Sequence, residues 1–560
     1  MIAAGTGLIA ATAAAPARAA ARGRQEAADG TPEQIHLTWG DDPTTRVVVS
    51  WASPGQAERP RVRIGQRVIA ATERACGDAS AGAVTWTYHA RVDGLRPGAT
   101  YGYAVTADND ANAADPFSAT FTTAPAGRAA FRFTSFGDLT PPGQADNWQA
   151  AYAVGAVETF QPLFHLLNGD LTDAGLAPGS PGPASRAQAR RDFGNNVQAS
   201  AANRPWLPVP GDHELAPGDG ERGLASYLTR YTLPSNGVDG LEGRWYAFRV
   251  GTALFVCLSG DDVAYSSSGR GYSGGAQARW LESTLAAARA DASIDWIVVQ
   301  HHQCACSSAA AGTGSDLGIR REWLPLFDTY EVDLVLSGHD HGYERSFPVR
   351  GFDAAAGTDT LTGATTDTSR PRPVTTVDSA VFDTSQGTVH LVLGSGGSDR
   401  GPGKSAGEPG PLPQLATVFT GPAPPVPDQW VPGGEPRPAA DAVEAATWSA
   451  RRDASTGYGI AVFDVSPGSE AGGQTSITVR YYHAAGPDPA DAGVLGPATG
   501  AAGVPTDDYR LFETFTLVRP RSDGRRWHPK GLRRGVRRVT VRCTRCRAFR
   551  GRRASVRWQR

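Results

Sequence analysis

Five short apolar runs between residues 131 and 341 end in an aspartate or a histidine, in most cases directly after a glycine. The runs and their polar ends are Phe131–Phe136 with Asp138, Phe164–Leu167 with Asp170, Leu207–Val209 with Asp212 and His213, Trp296–Val299 with His301 and His302, and Leu334–Leu336 with His339 and His341. Such runs, separated by stretches of helical spacing, are typical of buried strands in an α/β layered domain. Because ligands of such sheets gather at the carboxyl ends of the strands, we expect these side chains to meet at one edge.

Residues 31–125 have a different pattern, in which apolar side chains alternate with polar ones. The alternation is clearest at Ile35, Leu37 and Trp39 and at Val47, Val49 and Trp51. Alternation with period two, interrupted by Pro and Gly turns, predicts the short strands of a small β-sandwich. The segment has no cluster of ionisable residues that suggests catalysis, so we interpret it as a packing or binding module.

The Asp and His side chains at the strand ends are the ligand types that a pair of divalent cations requires. Two cations about 3.5–4 Å apart need a bridging carboxylate against their mutual repulsion, and further Asp and His ligands complete each shell. Such a pair lowers the pKa of a bound water and clamps the oxygens of a phosphate group. One Gly-Asp pair would be weak evidence, but five ordered strand ends predict a metal site.

The order GD, GD, GDHE, HH and GHDH resembles that of the calcineurin-like metallophosphoesterases. The run from Gly318 to Ser346 resembles the purple acid phosphatases, and residues 31–125 resemble the fibronectin type III domain that precedes their catalytic domain. The resemblance covers residues 31–518. It implies a four-layer α/β/β/α metallophosphoesterase sandwich at residues 128–520, preceded by an all-β, fibronectin III-like sandwich at residues 31–125.

The resemblance also assigns a role to each polar strand end. Two divalent metal ions would share Asp170 as a bridging ligand. The remaining ligands would be Asp138 and His341 on the first ion and Asp212, His302 and His339 on the second. His213 would lie beside the metals as a general acid or phosphate binder.

Two adjacent histidines, His301 and His302, compete for one ligand position. His301 and His302 both fit the VxxH spacing, and we favour His302 as the ligand because related sequences place it directly before the glutamine, here Gln303. Neighbouring side chains of an extended strand point in opposite directions, so the other histidine would have a packing position.

Glu344 and Arg345 are expected to form a buried ion pair beside the site.

The chain departs from the resemblance at three positions of the site. Asp212 stands where the family has Asn, Asp173 where purple acid phosphatases have Tyr, and Thr140 where relatives have an alternative His ligand. Without the tyrosinate no purple colour is expected, and the metal pair could be Mn, Zn or Fe. Whether Asp173 or Thr140 replaces the missing first-metal ligand stays open.

These observations predict an exported phosphoesterase that hydrolyses small-molecule phosphomonoesters by attack of a metal-bound hydroxide. Two alternatives remain at this point. The first is a phosphodiesterase or nucleotidase on the same core. The second is a degenerate, low-activity paralogue that binds metal or phosphate, which the changes at positions 140 and 173 would favour.

The termini and two internal segments have unusual compositions. Residues 521–560 hold 16 Lys or Arg and one acid, so this tail carries +15 and the rest of the chain −17 of the net −2. The tail is expected to be disordered, with contact to an anionic surface or polymer as the functional alternative. Residues 1–30 are interpreted as an export segment of a secreted or cell-wall protein, and no later stretch is apolar enough to span a bilayer. Residues 351–380 and 401–445, rich in Gly, Pro and Thr, predict long loops.

Overall fold

A computed structural model describes residues 29–521 of the 560-residue chain. Within that range the residues not described are 79–82, 140–147, 173–182, 216–220, 310–313, 361, 398–414, 422–440, 454–457, 470–472 and 485–508. The predicted export segment, up to residue 28, and the predicted basic tail, from residue 522, lie outside the described residues. No helix in the described part of the chain has the length and apolar content needed to cross a membrane.

The first domain contains eight strands and no helix among its described residues. They are β1 (Glu33–Trp39), β2 (Val47–Ser53), β3 (Arg61–Ile64), β4 (Arg67–Ala70), β5 (Thr72–Asp78), β6 (Ala83–Val92), β7 (Thr100–Thr106) and β8 (Ser118–Thr122). They form two antiparallel sheets, ordered β1-β2-β6-β5 and β4-β3-β7-β8. Alternate residues such as Leu37, Val49 and Val105 are buried between the sheets, which confirms the predicted all-β domain.

The second domain contains five α-helices and the remaining strands among its described residues. The helices are α1 (Trp148–Phe160), α2 (Pro183–Ala201), α3 (Glu221–Arg230), α4 (Ala276–Ala290) and α5 (Leu317–Thr329). Its first strands are β9 (Phe131–Phe136), β10 (Phe164–Leu167), β11 (Trp206–Pro208), β12 (Tyr246–Val250), β13 (Ala253–Cys257), β14 (Trp296–Gln300), β15 (Ser315–Asp316), β16 (Leu334–Ser337), β17 (Tyr343–Ser346) and β18 (Val349–Asp353). They continue with β19 (Gly357–Asp359), β20 (Thr365–Thr366), β21 (Arg370–Pro373), β22 (Val381–Asp383), β23 (Val389–Leu393), β24 (Leu415–Phe419), β25 (Asp441–Ala445), β26 (Ser449–Asp453), β27 (Gly459–Ser466), β28 (Gln474–Ala484) and β29 (Tyr509–Pro520).

Two mixed seven-stranded sheets form the centre of this domain. The first sheet has the order β11-β10-β9-β27-β28-β29-β22, with β9, β10 and β11 parallel. The second sheet has the order β12-β13-β14-β16-β23-β17-β26, with β13, β14, β16 and β23 parallel. Five of these parallel strands, β9, β10, β11, β14 and β16, precede the Asp and His residues of the sequence pattern.

The apolar runs are continuous because each strand is buried on both faces. In β14, Trp296 and Val298 face the core between the sheets, whereas Ile297 and Val299 pack toward α4 and α5. The ring of Phe133 in β9 packs edge-on against Phe255 in β13, with 5.1 Å between centroids. Helices α1 and α2 pack on the first sheet and α4 and α5 on the second. The predicted four-layer α/β/β/α arrangement is confirmed.

Residues 351–380 do not form the long loop that their composition predicts. Strands β18 and β21 pair with each other, and β19 and β20 join β15, β24 and β25 in a five-stranded sheet. The partner strand β25 lies more than 75 residues away in the chain. Pairing with such a distant segment stabilises strands whose own sequence has low strand propensity.

The first domain is seated on α2 and α3 of the second. The hydroxyl of Tyr103 donates to the carbonyl oxygen of Ala202 at 2.7 Å, and the amide of Ile35 donates to the side chain of Gln198 at 2.8 Å. Arg74 donates to the carbonyl oxygens of Leu228 and Tyr231, at 2.9 and 3.0 Å. The first domain therefore supplies donors to carbonyl groups at the carboxyl end of α3.

Candidate metal centre

The Asp and His residues of the sequence pattern lie in tight turns at the carboxyl ends of parallel strands. Asp138, Asp170 and His339, which follow β9, β10 and β16, have φ values of 60°, 45° and 68°. Asp and His are among the non-glycine residues that adopt this left-handed conformation most readily, and it persists only where the surrounding structure enforces it. The turns bring residues from the two sheets to one edge.

Four side chains at this edge form a compact cluster. One ligand atom from each of Asp170, Asp212, His302 and His339 lies within 4.8 Å of the other three. His302 Nε2 is 3.0 Å from Asp170 Oδ2 and 3.1 Å from Asp212 Oδ1. His339 Nδ1 is also 3.1 Å from Asp212 Oδ1. Carboxylate oxygens and imidazole nitrogens at these separations are a suitable ligand set for a divalent metal ion.

Asp138 and His341 form a second pair next to this cluster. His341 Nε2 lies 3.5 Å from Asp138 Oδ1. The backbone amide of His339 donates to both carboxylate oxygens of Asp138, at 3.1 and 3.0 Å. All six residues predicted as metal ligands are therefore brought to the same edge of the two sheets.

The glycines of the motifs are required by the close approach of these side chains. A Cβ atom at Gly211 would collide with the carboxylate of Asp170, and one at Gly169 would collide with the ring of His302. Gly169 also has a φ of +85°, which side-chain-bearing residues rarely adopt. Glycine at these positions leaves the space that the ligand side chains occupy.

The two neighbouring histidines have different surroundings. His302 is fully buried, and its Nδ1 donates to the carbonyl oxygen of Asn168 at 2.7 Å, which leaves Nε2 as the free ligand atom toward the cluster. The ring of His301 instead packs edge-on against Trp323 of α5, at 5.1 Å between centroids. Burial lowers the pKa of His301 to about 3, so this ring is neutral.

The charged groups of the cluster shift one another's pKa values. Burial lowers the pKa of His302, but Asp170 and Asp138 outweigh it and hold the value well above the usual range. Burial acts the same way on His339, and Asp212 raises its pKa to about 9. Burial raises the pKa of Asp212, whereas His339 and His302 hold it well below its usual range. The carboxylate of Asp212 is thus anionic, and the positive charge of His302 and His339 offsets its negative charge. A bound divalent cation would offset the same negative charge.

His213 lies at the rim of the cluster. Its backbone amide donates to Asp170 Oδ1 at 3.0 Å, and its Nε2 is 3.6 Å from Asp170 Oδ2. Its side chain is 23% exposed, so it can reach a bound solute and solvent at once.

Glu214 is a residue of the site to which sequence reasoning assigned no role. Its carboxylate accepts hydrogen bonds from the amides of Leu171 and Gly211, at 3.1 and 2.8 Å, and so joins the turns that carry Asp170 and Asp212. Burial and then repulsion from Asp170 raise the pKa of Glu214 to about 8. The signal in the sequence was the acidic residue directly after Asp212 and His213.

Of two further expectations from the sequence, one is not tested by the described residues and the other is wrong. Thr140 and Asp173, the candidates for a further first-metal ligand, lie outside the described residues. The expected ion pair between Glu344 and Arg345 is wrong, because adjacent residues of a strand point to opposite faces. Glu344 accepts from the amide of Ser308 at 2.8 Å, whereas Arg345 is 3.0 Å from Glu513.

Comparison with known proteins identifies the family. Residues 32–124 match the model of the purple acid phosphatase N-terminal domain, and residues 131–343 match that of the calcineurin-like phosphoesterases. The chain belongs to the calcineurin-like phosphoesterases, of the purple acid phosphatase type. It is accordingly a phosphoester hydrolase, and the family uses a dinuclear metal centre.

Several relatives cover much of this phosphoesterase chain. An uncharacterized protein of Mycobacterium tuberculosis (strain H37Rv) is 40% identical over 510 residues, which are 87% of each chain. Acid phosphatase type 7 of Mus musculus is 26% identical over 68% of this chain and 81% of its own. Purple acid phosphatase 1 of Ipomoea batatas is 26% identical over 56% of this chain and 64% of its own.

A solved structure has the same fold. The purple acid phosphatase PPD1 from yellow lupin (Lupinus luteus) seeds superimposes with a TM-score of 0.56 at 17% identity. The match covers 88% of this chain and 76% of the lupin chain. It supports the arrangement of an all-β domain followed by a layered α/β phosphoesterase domain.

Proposed function

We propose that this phosphoesterase is an exported phosphomonoesterase that works with two divalent metal ions. The observation that carries the proposal is the set of four ligand atoms within 4.8 Å of one another, beside the Asp138–His341 pair. Relatives named acid phosphatase type 7 and phosphoenolpyruvate phosphatase support monoesters as the substrate class. Export rests on the apolar segment and small-residue cleavage pattern near the N-terminus.

Each ligand has a place in this proposal. Asp170, which is near both His302 and the partly exposed His213, would be shared by the two ions. Asp138 and His341 would hold the first ion. Three further residues would hold the second ion, namely Asp212, His302 and His339. When bound, the two ions lower the pKa of a water molecule and neutralise charge on the phosphate.

The chain's own residues provide orientation and proton transfer. Asn168 accepts the Nδ1 proton of His302 and so fixes which nitrogen of the ring faces the site. Glu214 keeps the turns of Asp170 and Asp212 together. His213 is near Asp170 and partly exposed, so we assign it the protonation of the leaving-group oxygen or the binding of a phosphate oxygen.

The proposal is tested by metal content and substrate preference. Purified protein loaded with Mn²⁺ or Zn²⁺ is assayed on p-nitrophenyl phosphate and on bis-p-nitrophenyl phosphate, with metals quantified by elemental analysis. We expect two metal ions per chain and faster hydrolysis of the monoester. Asp170→Asn should lose most of the turnover. Asp464→Asn is the matched control, since Asp464 pairs with Arg132 at the opposite end of β9.

The other outcomes would identify the alternatives. Faster hydrolysis of the bis-ester would replace the proposal with a phosphodiesterase. Two bound metals with turnover no greater than that of Asp170→Asn would indicate a degenerate, metal-binding paralogue.

A further inference from the structure

A sixth strand end at the same edge carries a buried aspartate that none of the assignments above uses. Strand β13 runs parallel to β14, and past its end the amide of Leu258 donates to the carbonyl oxygen of Gln300 at 2.8 Å. The chain then reaches Gly260 and Asp261 in a short 3-10 helix, Gly260–Asp262. This is the same arrangement of apolar strand, glycine and aspartate that leads to Asp138, Asp170 and Asp212.

Asp261 is held against the residue that follows the metal ligand His302. It is completely buried, and its Oδ1 accepts a hydrogen bond from the side chain of Gln303 at 2.9 Å. A Cβ atom at Gly260 would collide with the side-chain oxygen of Gln303, so glycine allows the close approach of the two segments. The position of Asp261 is therefore fixed by the strand pairing of β13 with β14.

The other carboxylate oxygen of Asp261 has no hydrogen-bond partner among the described residues. Burial, followed by repulsion from Asp212, raises the pKa of Asp261 to about 7, while Ser267, His302 and Gln303 act in the opposite direction. The contacts of Leu258 with Gln300, and of Gly260 and Asp261 with Gln303, place Asp261 next to the turn that carries His302.

Two other buried aspartates of this domain, Asp262 and Asp333, have partners for both carboxylate oxygens, in contrast to Asp261. Asp262, the next residue, accepts hydrogen bonds from the amide and hydroxyl of Ser273 and from Gln277. Asp333 is paired with Arg289 and Arg519, at 2.6 Å from each. A buried carboxylate without such partners is costly, and a nearby cation is the usual compensation.

We propose that Asp261 is a further carboxylate of the metal centre, which raises the affinity of its Asp212 half for a divalent cation. Gln303 holds Asp261 next to the turn of His302, and the negative charge of Asp261 would strengthen the binding of a cation by Asp212 and His302. The inference rests on the metal centre of the proposed function, but it does not depend on the substrate.

The test compares metal binding and stability in Asp261→Asn and in the matched control Asp262→Asn. The asparagine keeps an oxygen for Gln303 but removes the charge. We expect the dissociation constant for Mn²⁺ or Zn²⁺, measured by calorimetric titration of the metal-free protein, to rise about 10-fold or more. The melting temperature of metal-free Asp261→Asn should rise, because a buried, poorly paired carboxylate is removed.

The control should behave in the opposite way. Asp262→Asn breaks satisfied hydrogen bonds, so its melting temperature should fall while its metal affinity stays within about twofold of the wild type. If Asp261 had only a structural role, the Asp261→Asn variant would have a lower melting temperature and an unchanged affinity for the cation. Either of these two results would overturn the inference. If the wild-type chain binds neither cation, the proposed function fails as well. If the wild type binds and Asp261→Asn binds equally well, only this inference fails.

Discussion

At the scale of single residues, the surroundings of a side chain separate a metal ligand from a core residue of the same type. His301 and His302 are both fully buried and differ by one position, yet His302 faces two carboxylates and His301 faces Trp323. The difference follows from the extended backbone at the end of β14, which sends adjacent side chains in opposite directions. One residue type therefore has two physical roles here.

This contrast predicts different losses for the two alanine variants. His302→Ala should lose one metal ion per chain and most of the phosphatase turnover. His301→Ala should keep both metals and lose roughly 2–4 kcal/mol of unfolding free energy, because a ring is removed from the packing around Trp323. Elemental analysis and chemical denaturation of both variants measure these quantities. Metal loss in His301→Ala would reverse the assignment.

At the scale of elements, α3 connects the first domain to the turn that holds Asp212. Thr87 and His89 of β6 donate to the carbonyl oxygen of Thr229, at 3.0 and 2.9 Å, close to the two bonds from Arg74. On the same helix, the hydroxyl of Tyr227 donates to the carbonyl oxygen of Pro208, in β11. Positive charge and donors at the carboxyl end of a helix stabilise it. The first domain thus supports an element that packs against a strand of the site.

Removing one of these donors should destabilise α3. Arg74→Gln should lower the unfolding free energy by about 1.5–3 kcal/mol and speed amide hydrogen exchange in residues 224–232. Arg91→Gln is the matched control, since Arg91 is an exposed arginine on β6 of the same sheet. The control should change stability by less than about 0.5 kcal/mol. Equal effects of the two substitutions would show that α3 does not depend on this contact.

At the scale of the whole molecule, neutral buried histidines in both domains make stability depend on pH. Burial lowers the pKa of His89 in the first domain and of His390 in the second to about 3. An unfolded histidine has a pKa of about 6.5. Between these pH values the unfolded chain binds more protons than the folded one. The contribution of these histidines to the unfolding free energy is therefore fully present above about pH 6.5 and is lost as the pH falls.

The expected loss is about 1.4 kcal/mol per pH unit for each such histidine. In His89→Gln the amide can replace the bonds to Ser50 and Thr229 but does not titrate. The loss of unfolding free energy between pH 6 and pH 4 should therefore be about 2–3 kcal/mol smaller in this variant than in the wild type. Denaturant unfolding of the metal-free proteins at several pH values measures the difference. Parallel curves for the two proteins would contradict a neutral His89 in the fold.

The sequence by itself determined the strands of the core and the residues at their ends. Apolar runs such as the one before Asp170 can be identified locally, because a strand buried on both faces must be apolar at successive positions. The rule that ligands lie at carboxyl ends of strands then predicted that Asp138, Asp212 and His339 would meet. These inferences need only neighbouring residues and a general property of parallel sheets.

The tertiary structure alone decided which segments become neighbours. The Gly-Asp pair after β13 can be read in the sequence, but its place next to the turn of His302 follows from the position of β13 beside β14. Strand β19 is stabilised by pairing with the distant strand β25, and β20 pairs with β19 in turn. Glu344 and Arg345 contact separate partners, Ser308 and Glu513, from other segments of the chain. Residue patterns encode local periodicity, whereas strand order and side-chain partners depend on contacts between residues far apart in the chain.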